Sequence, residues 1–285
     1  MIYSRIRGGL GNQLFQYCVA RTLADRLGTS LGLDIRDFNQ NSPYLMGLNN
    51  FNIRAEFNPT GMIKHKNDGY MKYLIDIAFG KQKNIFKETS LNFNEKFLCL
   101  QNNSYLKGYW QTEKYFRDNK KNILNDLKII NLQSNQNKKI SEKIAKTTSV
   151  SLHIRRGDYV TNTAYNVAHG TCSLTYYKNA VDHLINNIGK NFTVFAFSDD
   201  PEWVSSNLKL PVKICVIDNN SSDYNYEDLR LMSECNHNII ANSSFSWWGA
   251  WLNTNHNKTV IAPTTWYADQ SLKNNDIIPG NWTKI

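Results

Sequence analysis

A chain of 285 residues is long enough for two ordinary domains. With 41% hydrophobic and 12% aromatic residues it can bury a core in each, which excludes wholesale disorder. The formal charge of +9 rests on 33 Lys and Arg, of which only 10 are Arg, and the Lys are dispersed rather than gathered into a nucleic-acid module. Together with 38 Asn, the Lys excess reflects an AT-rich genome more than an acidic partner. The 5 Cys have irregular spacing and no Cys-x-x-Cys pair, so neither a disulfide framework nor a structural zinc is expected. No signal peptide is read before the glycine turn at Gly8, and no window approaches a membrane span. The expectation is a cytoplasmic protein without an integral membrane segment, with peripheral association at the inner membrane face left open.

In chain order, residues 2–6 alternate as a short strand and Gly8-Gly9-Leu10-Gly11 makes a turn. Leu14, Cys18, Ala20, Leu23, Ala24 and Leu27 then recur at helical spacing up to Gly28. A second strand at 31–35 completes the opening of an α/β unit. The stretch 38–125 lacks clean periodicity and reads as loops and short helices, with a strand at 104–109. The polar run from Gln133 to Lys139 predicts a linker over 136–148 that runs into a short exposed helix. It separates an N-terminal domain at 1–135 from a C-terminal one at 149–285. Beyond it, strands at 150–154, 192–197, 212–217, 239–241 and 259–262 alternate with helices at 174–188, 201–208, 226–235 and 246–252. That alternation predicts a parallel sheet covered on both faces, a Rossmann-like domain.

Several motifs fall at predicted strand ends, where ligands bind in doubly wound sheets. His153-Ile154-Arg155-Arg156-Gly157-Asp158-Tyr159 places two adjacent Arg there. Guanidinium forks match phosphate oxygens as Lys cannot, Asp158 can orient one of them, and Gly157 permits close approach. The competing reading is a solvated loop with a structural Arg–Asp pair. Asn242-Ser243-Ser244-Phe245-Ser246 leads a strand into a helix start and aims hydroxyls and N–H groups at one point, which suits an anion. Its alternative is a serine cap followed by core Trp247 and Trp248. In Ser198-Asp199-Asp200-Pro201, one Asp caps a helix and the other is left to meet a substrate hydroxyl. The turn Gly9-Leu10-Gly11 is half a dinucleotide fingerprint with Asp34 at ribose distance, but Leu14 stands where the third glycine belongs. Asn12 and Gln13 suit a sugar- or phosphate-facing loop better. His169 reads as a general base, a substrate contact or a cap.

Taken together, and with Gly108-Tyr109-Trp110-Gln111, these stretches strongly resemble the bacterial α-1,2-fucosyltransferases, glycosyltransferase family 11. The resemblance runs from the first strand to about Trp251. It implies a GT-B-like fold of two Rossmann-like domains facing across a cleft, with the acceptor on the N-terminal side and GDP-β-L-fucose on the C-terminal domain. Fucose would pass with inversion to the 2-hydroxyl of a galactose-terminated glycan, as in O-antigen or lipopolysaccharide biosynthesis, with no metal and no further cofactor. Carried over by residue, Arg155 and Arg156 would hold the diphosphate, supported by His153 and Asp158. Ser243, Ser244, Phe245 and Ser246 would contact phosphates or nucleotide, with Asp199, Asn12, Gly9 and Gly11 also on the donor side. The proton acceptor stays open between Asp158, His153 and His169. The alternative enzyme is an NAD-dependent oxidoreductase built on the Gly9 and Gly11 turn.

Overall fold

The chain forms two units, Met1–Lys128 and Ile129–Ile285, each built on its own parallel sheet. The structure is a computed structural model that describes residues 1–59 and 84–285, without the side chains of Asp158, Thr161, Ala164 and Tyr165. The part of the expected loop region at 60–83 therefore lies outside the described residues.

In the first unit the strands are β1 (Ile2–Arg5), β2 (Leu31–Asp34), β3 (Glu56–Phe57), β4 (Asn84–Lys87) and β5 (Ser104–Lys107). Their spatial order is β3-β2-β1-β5-β4. Helix α1 (Leu10–Arg26) connects β1 to β2 and is buried along most of its length, with Leu14, Phe15, Cys18, Val19 and Leu23 in the core. The winding runs outward from β1 to β3 on one side and then places β5 on the other. The carboxyl ends of β1 and β5 thus flank a topological switch point, the position where open α/β sheets bind ligands. The two-residue β3 and the strand β4 were not legible in the sequence, because they are short edge strands with little apolar pattern.

The second unit holds β6 (Ser149–Ile154), β7 (Thr193–Ser198), β8 (Lys213–Ile217), β9 (His237–Ile239), β10 (Val260–Ala262) and β11 (Thr283–Lys284), in the order β11-β10-β9-β6-β7-β8. Its first strand is again central, and its switch point lies between the ends of β6 and β9. Val150, Leu152 and Ile154 of β6 pack with Tyr176, Val181 and Leu184 on one face. On the other, Phe195 and Phe197 of β7 meet Leu231 and Met232. Both faces are covered, as strands between helices require.

Two expectations need correction. The unit boundary falls at 128/129 rather than in a linker at 136–148, which is largely occupied by a helix, Asn135–Ala145. Ile140 and Ile144, one turn apart, dock that helix onto the Phe195 and Leu231 cluster of the second unit. The strand expected at 239–241 pairs with β6 two residues earlier, at His237 to Ile239.

Candidate active site

Ile154 pairs with Ser198 at the last register position of β6 and β7, so the residues that follow both strands emerge side by side. The Ser198 hydroxyl donates to the Ile154 carbonyl at 2.8 Å and accepts from the Asp200 N–H at 3.0 Å, which locks the two exits together. The Asp199 carboxylate then takes the Arg155 Nη1 at 2.8 Å on one oxygen and the Arg156 backbone N–H at 2.9 Å on the other. Asp200 accepts from the Arg156 Nε–H at 3.1 Å and, on its other oxygen, from the Trp203 N–H at 3.2 Å, capping the helix Pro201–Asn207. The Arg156 guanidinium carbon lies 3.7 Å from the centroid of the Trp203 ring.

Arg156 is therefore held by its Nε and by its flat face. Its two terminal amino groups have no protein partner among the described residues, which leaves the fork suited to a planar or tetrahedral oxyanion. Gly157 is required by the same construction. A Cβ there would lie 2.4 Å from Asp199 Oδ2, inside any permitted contact. Asp199 is thus a partner of the arginines rather than a substrate-hydroxyl ligand.

Across the switch point, Ile240 and Ala241 lead from β9 to Ser243, which caps the helix Ser244–Leu252 by accepting from the Phe245 N–H at 3.3 Å. Ser244 is half-buried, and its hydroxyl has no protein partner among the described residues. Ser246 differs from expectation: it is 1% exposed, and its hydroxyl donates to the carbonyls of Ala241 and Ser243. It braces the turn and does not face a ligand. Trp247 and Trp248 are fully buried, as the core reading has it, with the Trp247 indole donating to the Ile277 carbonyl at 2.6 Å.

His153 is 4% exposed, beside the Phe245 ring at 5.7 Å between centroids, and so lies beneath the strand edge. Burial, reinforced by the Arg155 charge, pushes its imidazole down to about 3. It is neutral at any ordinary pH. His169 is stacked on Tyr159 at 4.8 Å and lies 5.4 Å from Tyr267. The Tyr159 ring also faces the Arg155 guanidinium at 5.4 Å. Asn242 fixes this wall by donating to the carbonyls of His169, Gly170 and Trp266 at 2.9, 3.3 and 3.1 Å. The side chain of Asp158 lies outside the described residues.

In the first unit, the two glutamines after the glycine turn are both fully buried. Gln13 donates to the carbonyls of Gly8 and Leu45 and accepts from the Gly47 N–H, each at 2.8–2.9 Å. Gln16 accepts from the Arg7 N–H at 2.9 Å and donates to the Gly108 carbonyl at 3.1 Å, spanning the exits of β1 and β5. Gln13, expected to face a ligand, is thus structural, and Gly11 is buried. Asn12 and Gly9 stay partly open, with the Asn12 side-chain oxygen accepting from Gln111 at 2.8 Å. Asp34 is only 2% exposed and accepts from Arg36 at 2.7 Å and Tyr105 at 2.6 Å. Against the cost of burial, these bonds lower it to about 2, and its oxygens are engaged where a ribose would need them.

Trp203 and the pairing of Asp199 with Arg155 were missed in the sequence, although the parallel neighbours β6 and β7 carried the signal: the residues after adjacent parallel strands meet. Among the described residues no three His, Cys, Asp or Glu cluster to hold a metal ion, and no helix is long and apolar enough to cross a membrane.

An arginine pair, a capped helix start and a buried brace at the switch point of a parallel sheet define an α/β protein equipped for an anionic ligand. The profile of Glycosyl transferase family 11 matches residues 52–285. An alpha-1,2-colitosyltransferase of Escherichia coli is 33% identical over 301 residues, covering 100% of this chain and 99% of the relative. The O-antigen biosynthesis glycosyltransferase WbnK, also of Escherichia coli, is 34% identical over 290 residues, covering 94% and 95%. Among solved structures, NodZ α-1,6-fucosyltransferase soaked with GDP-fucose is similar at 16% identity, over 88% of this chain and 91% of that one, with a TM-score of 0.49. The chain belongs to glycosyl transferase family 11 and is a glycosyltransferase.

Proposed function

We propose that the protein transfers L-fucose from GDP-β-L-fucose to the 2-hydroxyl of a terminal galactose, with inversion, in the assembly of a cell-surface glycan such as an O-antigen. The observation that carries this reading is Arg156, anchored through its Nε and its face at a sheet switch point, with no partner for its two terminal amino groups among the described residues. A nucleoside diphosphate presents the oxygens that such a fork matches. In transfer, the bond between the fucose anomeric carbon and the diphosphate oxygen breaks. The bonding pair leaves on GDP, and the acceptor hydroxyl attacks the opposite face and gives up its proton to water or to the departing diphosphate. Negative charge grows on the diphosphate, where Arg155, Arg156, the Ser244 hydroxyl and the N-terminus of the helix Ser244–Leu252 stabilise it. His153 and Asp199 act from behind, one by filling the space beneath Arg155 and one by orienting both arginines.

The colitosyltransferase relative supports a second reading, in which the donor sugar is GDP-colitose. Colitose lacks a hydroxyl that fucose carries, so the two donors differ in a single polar contact. GDP release measured with each donor, with and without a panel of galactosides including lactose and Galβ1-3 disaccharides, tests both. Galactoside-dependent release from GDP-fucose, with an α-1,2 linkage in the product, is the expected result. Release from GDP-colitose alone selects the second reading, and release from neither overturns the GDP-sugar assignment. Stabilisation by NADH but not by GDP in a thermal-shift comparison would revive the oxidoreductase alternative, against which the engaged Asp34 stands.

A further inference from the structure

The exits of β6, β7 and β8 lie along one edge of the second sheet. His153 pairs with Phe197 and Phe197 with Ile217, so Asp218 leaves β8 at the level where Ile154 and Ser198 end their strands. Two strand spacings, about 10 Å, separate this exit from that of the arginine pair. Asn219 and Asn220 follow, both half-buried. Asn219 Nδ2 donates to Asn137 Oδ1 at 2.6 Å and to Asn220 Oδ1 at 3.2 Å. Asn137 Nδ2 donates to Asn220 Oδ1 at 2.8 Å, and Asn220 Nδ2 donates to Asp228 Oδ1 at 2.7 Å. The chain of amides thus runs in one direction, from Asn219 to Asp228. It draws on three elements: the β8 exit, the helix Asn135–Ala145 and the helix Asn225–Glu234.

That direction has a cause. An ionised carboxylate only accepts, whereas a carboxamide carries an oxygen and an amino group and changes them over by a half rotation. Asp228 therefore dictates that each amide in turn point its nitrogen toward it. Both N–H bonds of Asn219 are then spent inward, and its Oδ1, without a protein partner among the described residues, is left as an acceptor at the carboxyl edge of the sheet. Among the described residues no cation pairs with Asp228. Glu227, beside it on the same helix, pairs with Arg230 at 3.0 Å, and Glu234 accepts from Ser141 at 2.6 Å. Asp218 and Asp223 on the exit, and Lys138, Lys139, Glu142 and Lys143 on the helix Asn135–Ala145, are exposed. The helix Ser244–Leu252, packed on the other side, carries no charge. Loss of solvent pushes the Asp228 carboxyl up to about 7 against the Asn220 bond, with Glu227 adding to the rise. A proton makes Asp228 a donor as well, and the chain can then run either way, turning the amino group of Asn219 outward.

We propose that Asp228 is a positioning residue whose charge state sets the direction of the three-amide chain, and with it whether the exit of β8 offers a ligand an amide oxygen or an amide N–H. The ionised form offers the oxygen, which takes a hydrogen from a ligand N–H or O–H. The protonated form offers either group. A network that only braced the loop would do so equally in both forms. The inference goes beyond the proposed function, since the chain of amides exists without a ligand, and it rests on that reading only for the choice of a nucleoside diphosphate as probe. The ring N1 of guanine carries a hydrogen and that of adenine does not. An outward oxygen therefore favours GDP over ADP, and a mixture of orientations favours neither.

NMR of the full chain with isotope-labelled Asn amides and Asp carboxyls tests the relay without a ligand. The side-chain amide signals of Asn137, Asn219 and Asn220 are expected to shift together with the Asp228 carboxyl, with one midpoint within about a pH unit of 7, and to ignore pH in Asp228→Asn. Calorimetry with GDP and with ADP reads the ligand end. Both carry the same diphosphate, so its own titration cancels in the ratio of the two affinities. The preference for GDP is expected to fall about fivefold or more from pH 8 to pH 6 in the wild type. It is expected to be low and independent of pH in Asp228→Asn and in Asn219→Ala, the second of which keeps the Asp228 titration. Should Asp228→Asn fail to fold, the wild-type titration and Asn219→Ala decide the matter. Amides that ignore the Asp228 titration, an Asp228 that titrates with ordinary carboxylates, or a GDP preference equal at both pH values overturns the proposal. Titrating amides in a chain that binds neither nucleotide support the relay and remove the donor reading, so the two failures are distinct.

Discussion

The Arg156 guanidinium rests 3.7 Å from the Trp203 ring centroid, and the same Asp200 that caps the Trp203 helix accepts from its Nε. One helix start thus supplies both the face and the edge that hold the arginine. Lys has neither a planar face nor an Nε–H, so Arg156→Lys keeps the charge and loses the geometry. Expected is a well-folded variant whose transfer rate drops by about 10²–10³, the cost typical of losing one oxyanion donor. Near-normal turnover in a GDP-release assay would contradict the role given to Arg156.

Gly157→Ala tests the other half of the clamp. The new Cβ would sit 2.4 Å from Asp199 Oδ2, so Asp199 must move and release Arg155 and the Arg156 N–H. A loss of tenfold or more in turnover, about 1.4 kcal/mol in the barrier, is expected with a melting temperature close to wild type. An active variant would mean that Asp199 can shift without consequence for the arginines.

His153 gives a pH signature. Its folded pKa lies near 3, below the usual value of 6.5, so the folded protein excludes a proton that the unfolded chain binds below pH 6.5. Stability therefore falls as the pH drops from 6.5 toward 3, with a limiting slope of about 1.4 kcal/mol per pH unit from this group. Above pH 6.5 the group contributes no slope. Denaturant unfolding of wild type and His153→Gln at pH 6.5 and 5 should show the variant losing less stability on acidification. Equal slopes would place the imidazole in water.

Asn242→Ala removes the amide that three carbonyls share, those of His169, Gly170 and Trp266. Leaving buried acceptors unpaired costs roughly 1–3 kcal/mol. For a protein of this size each kcal/mol lowers the melting temperature by about 2–4 °C. A drop of that order in calorimetry is expected, and an unchanged melting temperature would show that the wall around Tyr159 is held by other contacts.

Much of the second unit was legible because its strands are apolar and bounded by turns, and because the resemblance was carried by contiguous motifs. The arginine pair and the serine turn are local in sequence and were read as such. Partnership across strands was less visible. The Arg partner expected from the sequence was Asp158, whose side chain lies outside the described residues; the partner that the sequence did not display is Asp199, on the neighbouring strand's exit, which pairs with Arg155. Burial of polar groups was least visible of all. Gln13 and Ser246 read as ligand-facing and Gln16 carried no signal, yet all three are internal braces whose partners are backbone groups, which a sequence does not display. The helix Asn135–Ala145 was expected as a short exposed helix of a linker, and its docking on the second unit was missed because only Ile140 and Ile144 mark its buried side.

Gln16 has a consequence for the first unit as a whole. The register of β1 and β5 ends at Ser4 and Leu106, and beyond it the Gln16 carboxamide joins Arg7 to Gly108 while the Arg7 guanidinium lies 5.5 Å from the Tyr109 ring centroid. The backbone of one loop is thus tied to the backbone of the other through a side chain that belongs to neither, on the helix Leu10–Arg26. That side chain works as a tie: the loops can vary in residue type while the link between them stays, and shortening it by one methylene would draw the loops together or break one of its bonds.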